Sequence, residues 1–196
     1  KIGGADRKVL THFDRNGFGY TIDRLTGEPL VAQPYDEDLN WSSGVDLDKS
    51  SPTYGRPKVL DSKSTFVQGA DVNTKNICPA ALGFKDQQPA AYSPITGLMY
   101  VPANHICMDY EGVEVKYTRG QPYVGAIVRM FPGPGGHRGR FFAWDPMTGK
   151  VVWETSNPDR WKMSHGSVIP MKLLGRRMYV YGALGGVAGV AADGPD

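Results

Sequence analysis

Arg15 stands at a hairpin signal, Asp14-Arg15-Asn16-Gly17. A guanidinium presents a fixed fork of donors to flat oxygen acceptors. An arginine on a solvated hairpin tip would read the same way in sequence. Asp86, ahead of Gln87-Gln88, offers a carboxylate or is a surface-turn aspartate. Cys78 and Cys107 are the two cysteines, compatible with one disulfide or two free thiols. Paired, they would close a loop of about 29 residues, worth roughly 3–4 kcal/mol in chain entropy. A metal site built from Cys78, His105 and Cys107 lacks a fourth ligand and the usual Cys-x-x-Cys spacing. His12, His105, His137 and His165 are scattered, none in a recognisable triad with a Ser or Asp. An isolated histidine in a strand is ordinarily packed and hydrogen-bonded. No nucleophile-and-base set and no metal ligand set emerges from spacing.

The elements around these residues read as short strands. Lys8 to Phe13 and Phe18 to Ile22 flank the Asn16-Gly17 turn, whose two residues tolerate positive φ. Thr-Gly turns recur at Thr26-Gly27, Thr96-Gly97 and Thr148-Gly149, their threonines 70 and 52 positions apart. Repeats of ~40–50 residues with four short strands each mark propeller blades, so the chain holds about three to four blades. Residues 33–76 read as a long, partly irregular surface insertion and residues 131–140 as a loop. With 25 Gly and 15 Pro the composition suits an all-β protein full of turns. The net charge of +2 is spread along the chain, which leaves no nucleic-acid footprint. There is no apolar run of about 18 residues, hence no transmembrane helix, and no signal-peptide core among the first residues.

Ala143-Trp144-Asp145-Pro146-Met147-Thr148-Gly149-Lys150-Val151-Val152-Trp153 resembles the tryptophan-docking motif of quinoprotein propellers. In it an Asp caps the turn, a Gly takes positive φ, and the last Trp packs flat on the next blade. Trp41, Trp144, Trp153 and Trp161 accordingly read as blade-packing residues. Three more segments sharpen the likeness: Leu10 to Gly17, Asn76 to Gln88, and Asn104 to Tyr110. Each resembles a segment of the large subunit of PQQ-dependent methanol and ethanol dehydrogenases, in the same order and at similar spacing. Gly120 to Ala126 fits as well. Asp86-Gln87-Gln88 with Asp109-Tyr110 is more similar to the lanthanide-using branch than to the calcium-using one. The resemblance runs over residues 9–153. Beyond it, Leu184 to Gly189 resembles a later family segment, with Val187 where the family has a Trp under the cofactor and a blade missing between about 161 and 177.

The resemblance implies an all-β section of an eight-bladed quinoprotein propeller, a partial propeller over 1–196. The function it implies is oxidation of methanol or another primary alcohol to the aldehyde in the periplasm, with cytochrome c as electron acceptor. The implied cofactors are PQQ and a calcium or lanthanide ion. It places Arg15 against the quinone oxygens, where its charge favours the reduced form. Asp86 comes beside the cofactor, where Arg15 must neutralise it. It pairs Cys78 with Cys107 as a structural disulfide. The family's general-base Asp would fall before residue 1, and its metal ligands in earlier blades, so the chain reads as a fragment with no catalytic or metal residue of its own. A homo-oligomer is implied for the full-length protein. The alternative is a non-catalytic propeller scaffold with quinoprotein-like repeats, which would have no reason to keep Arg15 or the cysteine frame.

Overall fold

A computed structural model of the chain describes residues 2–192. The first sheet is an antiparallel meander of β1 (Val9–Phe13), β2 (Phe18–Asp23) and β3 (Pro29–Pro34). A hairpin of β4 (Ser42–Val45) and β5 (Pro57–Val59) follows, then a four-residue helix α1 (Thr65–Gln68). Next come β6 (Asn73–Ile77), β7 (Ala91–Tyr92), β8 (Met99–Asn104), β9 (Ile106–Gly112), β10 (Ala126–Pro132), β11 (Gly139–Asp145) and β12 (Lys150–Glu154). The last sheet is β13 (Ile169–Leu173), β14 (Arg176–Ala183) and β15 (Gly186–Ala191). The all-β expectation holds. Among the described residues no helix is long and apolar enough to cross a membrane.

The recurring Thr-Gly turns are one structure used three times. Gly27, Gly97 and Gly149 have φ of 78°, 73° and 74°. Each donates its N–H at 2.8 Å to the carbonyl four residues back, at Asp23, Ser93 and Asp145. The leading side chain caps the turn: Asp23 Oδ1 accepts from Leu25 N at 2.9 Å and Asp145 Oδ1 from Met147 N at 2.8 Å. These turns close β2–β3, β7–β8 and β11–β12, so sequence position sets where each strand reverses.

Two sheets share one pair of strands. β8 and β9 are a single run broken at His105, and β10 and β11 are the returning run broken at residues 133–138. The near halves, β8 and β11, pair Asn104 with Gly139 through Met99 with Trp144, in the sheet β12-β11-β8-β7. The far halves, β9 and β10, pair Ile106 with Pro132 through Gly112 with Ala126, in the sheet β10-β9-β6. Residues 131–140 are thus strand at both ends and loop only between, and the loop wraps His105. Residues 33–76 carry the β4–β5 hairpin, α1 and the start of β6. Within that hairpin Asp46 accepts hydroxyls from Ser51 and Thr53 at 2.6 and 2.7 Å, which hold its carboxyl down to about 2.

One core joins the first sheet to the ribbon: Phe13, Val31 and Tyr35 meet Phe84, Val101, Phe142, Trp144 and the Cys78–Cys107 pair. Trp144 is fully buried and stands edge-on to Phe13, ring centres 5.0 Å apart. Gly19 leaves room for it, since a Cβ there would lie 2.9 Å from the Trp144 ring. A second core joins Tyr100, Phe141 and Ala143 to Tyr179, Tyr181 and Val190 of the last sheet. Trp153 packs against this cluster, tilted on Tyr100 and edge-on to Phe141 rather than flat.

Two of the turn glycines differ in surroundings. A Cβ on Gly149 would meet Gln33 at 2.6 Å and Val31 at 2.7 Å, whereas Gly97 faces open space. Gly97→Ala should therefore cost only the backbone term, about 1–2 kcal/mol. Gly149→Ala should add a packing clash, for about 2–4 kcal/mol in all. Chemical denaturation of the two variants checks the difference.

Candidate functional site

The Asp14–Gly17 hairpin tip would be free to move if only its own turn held it. Four hydrogen bonds from three residues pin it instead. The Tyr35 hydroxyl donates to the Asp14 carbonyl at 2.7 Å, and Trp41 Nε1 donates to the Asn16 carbonyl at 2.9 Å. Tyr35 N donates to the Gly17 carbonyl at 3.1 Å, and Phe84 N to the Arg15 carbonyl at 3.2 Å. Inside the turn, Asn16 Oδ1 accepts from Phe18 N at 2.9 Å.

This places Arg15 beside Asp86. Its Nη2 is ion-paired with Asp86 Oδ1 across 71 residues of sequence. The Arg15 side chain stays 55% exposed and that of Asp86 21%, so the pair has a buried side and an open side. The Asp86 main chain is oriented by Gln88, whose buried amide oxygen accepts Asp86 N at 2.8 Å. Lys85 is buried next door, and burial pushes its amine pKa down despite the Asp86 charge. Arg15 also lines an open groove of about 450 Å³ with Asp14, Asn16, Trp41, Phe66, Gly83 and Met108 among its walls. Free guanidinium donors facing that groove can take planar oxygen acceptors, with Asp86 supplying the compensating charge.

Cys78 and Cys107 are joined as a disulfide, both buried in the first core. The bond ties the end of β6 to β9, and the segment carrying Asp86 begins directly after it. Asp109 does not reach Arg15; it accepts Asn76 N at 3.0 Å and pairs with Lys75 at 3.3 Å. Val187 is 67% exposed on β15, in the last sheet.

The residues that sequence reasoning missed surround His105. Its Nδ1 lies 2.9 Å from Asp36 Oδ2 and its Nε2 2.9 Å from the Pro134 carbonyl. Its ring stacks on His137 at 4.4 Å and on Phe84 at 6.2 Å. Arg140 joins Asp36 at 2.6 Å and grips Glu154 with two nitrogens. Burial alone would lower the His105 pKa, but the Asp36 bond and charge, with the Pro134 carbonyl, raise it. Burial would raise the Asp36 carboxyl, but His105 and Arg140 hold it below the usual range. Asp36, Asp38 and His105 bring three ligand atoms within 4.8 Å of one another. The Arg140 cation on Asp36 and the Pro134 carbonyl on Nε2 make this group a buried salt-bridge centre. No local pattern signals it, because Asp36 and His105 are 69 residues apart.

No protein-family model matches the chain. It is 60% identical over 170 residues to the lanthanide-dependent methanol dehydrogenase of Methylorubrum extorquens, covering 86% of this chain and 28% of that protein. It superposes on a solved europium-containing methanol dehydrogenase with a TM-score of 0.73 at 42% identity, over 92% of this chain and 30% of the other. A quinohemoprotein alcohol dehydrogenase from Pseudomonas putida HK5 gives a TM-score of 0.70 at 27% identity, over 99% and 28%. The chain thus spans less than a third of the length of the relatives it matches.

The buried ionic group has a signed pH dependence. The His105 pKa is raised above its unfolded value of about 6.5, so its contribution is complete below that pH and is lost as pH rises through the folded pKa. Asp36 is lowered, so its contribution is present above about 4 and lost as pH falls through its folded pKa. Asp36→Asn should cost on the order of 3 kcal/mol near pH 5.5. The cost should shrink above about 6.5 as His105 deprotonates, without vanishing, since Arg140 stays charged. Urea denaturation of both proteins from pH 4.5 to 9 tests it.

Proposed function

We propose that this chain forms one wall of a PQQ pocket in a quinoprotein alcohol dehydrogenase that oxidises methanol or another primary alcohol. The aldehyde is the product and a cytochrome c the electron acceptor. The observation that carries the reading is Arg15 at the open groove, ion-paired with Asp86, on a hairpin tip held by Tyr35, Trp41 and Phe84. The donor set suits the cofactor. PQQ is a flat, anionic ortho-quinone, and Arg15 brings donors that Asp86 leaves free.

When bound, PQQ accepts the two reducing equivalents of the alcohol, and its calcium or lanthanide ion polarises it for that. The work of this chain is narrower. Arg15 donates hydrogen bonds to quinone oxygens and its charge favours the electron-rich form. Asp86 keeps the guanidinium in one orientation and offsets part of its charge. Tyr35 and Trp41 hold the Asp14 and Asn16 carbonyls so that Arg15 does not swing away. The general base and the metal ligands are assigned to polypeptide outside residues 1–196. A lanthanide rather than calcium is favoured by the 60% identity to a lanthanide-dependent relative. The buried Cys78–Cys107 disulfide fits the oxidising periplasm.

The full-length gene product should carry a quinone absorption band, or gain one with PQQ and a lanthanide or calcium salt, and should oxidise methanol with an artificial acceptor. Arg15→Ala should lower kcat/KM about 100-fold, the loss expected for one charged donor at a developing charge. A pure protein that takes up no quinone and oxidises no alcohol under these conditions would instead be a non-catalytic propeller scaffold.

A further inference from the structure

Asn104 ends β8, immediately before the break at His105. It does not line the groove. Its main-chain N–H donates to the Phe84 carbonyl at 2.6 Å, and its Nδ2 donates to the Gly83 carbonyl at 3.0 Å. One residue thus holds two consecutive carbonyls. In extended chain successive carbonyls point to opposite sides. Here both carbonyls turn toward Asn104.

The other side of the same two residues faces Arg15. Phe84 N donates to the Arg15 carbonyl at 3.2 Å. Gly83 lies so close that a Cβ would stand 2.6 Å from both the Arg15 carbonyl oxygen and the Arg15 Cβ. Two residues beyond Phe84 is Asp86, the partner of the Arg15 guanidinium. Asn104 therefore grips the backbone that carries one member of the pair and abuts the other. A main-chain donor could come from any residue at this position. The second donor, to the neighbouring carbonyl, is specific to the asparagine amide.

We infer that Asn104 is a positioning residue: its two hydrogen bonds to Gly83 and Phe84 set Asp86 against Arg15, and through that pair set the affinity for the quinone cofactor. The inference rests on the assignment of Arg15 and Asp86 to the PQQ pocket. Apoprotein of the full-length gene product is titrated with PQQ, following tryptophan fluorescence, for the wild type, Arg15→Ala, Asp86→Ala, Asn104→Ala and the Asp86→Ala/Asn104→Ala double variant. Asn104→Ala should weaken PQQ binding about tenfold, near the value of one lost hydrogen bond. In the Asp86→Ala background the same change should alter the dissociation constant less than about twofold, because residues acting through one another are not additive. Asn104→Asp keeps the shape and the main-chain donor but loses the side-chain donor; it answers the same question if the alanine variant misfolds. Full additivity in the double variant, or wild-type affinity in both Asn104 variants, overturns the inference. If the wild type binds PQQ and Arg15→Ala weakens it, that failure leaves the pocket assignment standing. A wild type that binds no PQQ removes both.

Discussion

The molecule turns on the buried contact between His105 and Asp36. It sits where one strand run passes from one sheet to another, and the ladder of hydrogen bonds has to stop there. A break in a buried ladder leaves main-chain groups needing partners. The loop 133–138 supplies them: His105 N donates to the Arg138 carbonyl at 2.9 Å and Gly133 N donates to the His105 carbonyl at 2.9 Å. Gly133 is required for this closeness, since a Cβ there would lie 2.5 Å from the imidazole. Asp36 then meets the imidazole's charge, and Arg140 shares the same carboxylate. Removing Asp36 would leave an unpaired cation in the core, which costs about 3–5 kcal/mol.

That junction links the sheets to the candidate site. Phe84 stacks on His105 on one side and binds the Arg15 carbonyl on the other. Tyr35 stacks on Phe142 at 5.7 Å and carries its hydroxyl to the hairpin tip. The disulfide lies in the same core and anchors the segment that leads to Asp86. Arg15 is exposed at its guanidinium, but every contact on its backbone comes from buried residues. A half-exposed side chain on a rigid base is what a ligand-facing arginine needs, because little ordering is left for the ligand to impose.

Arg15 and Asp86 illustrate how charge is apportioned. Left alone, an aspartate at the edge of an anionic ligand would repel it, and a lone arginine would be free to fold back into solvent. Paired, each corrects the other, and the remaining guanidinium donors keep a direction. The His105 cluster follows the same logic in a dry setting, with cation and carboxylate alternating from Glu154 through Arg140 and Asp36 to His105. In the first group Arg15 faces the groove; in the second His105 and Asp36 are buried, so their charges are spent on the fold.

The sequence by itself determined whatever depends on neighbours in the chain. The Asn16-Gly17 hairpin appears in register, with Phe13 opposite Gly19 and Val9 opposite Asp23. The three Thr-Gly turns were legible because an Asp or Ser cap, a Thr and a positive-φ Gly act within five residues. Homology alone pointed to Arg15, Asp86 and the cysteine pair, which no local rule joins. Tertiary structure decided the rest. It divided one strand pair between two sheets at His105 and wrapped residues 133–138 around it. It placed Asp36, Arg140 and Glu154 in one charge chain and brought Gly83 against Arg15. These contacts span tens of residues, and their energy comes from burying charges and rings together. That depends on which surfaces meet, and the pattern of a single segment does not record it.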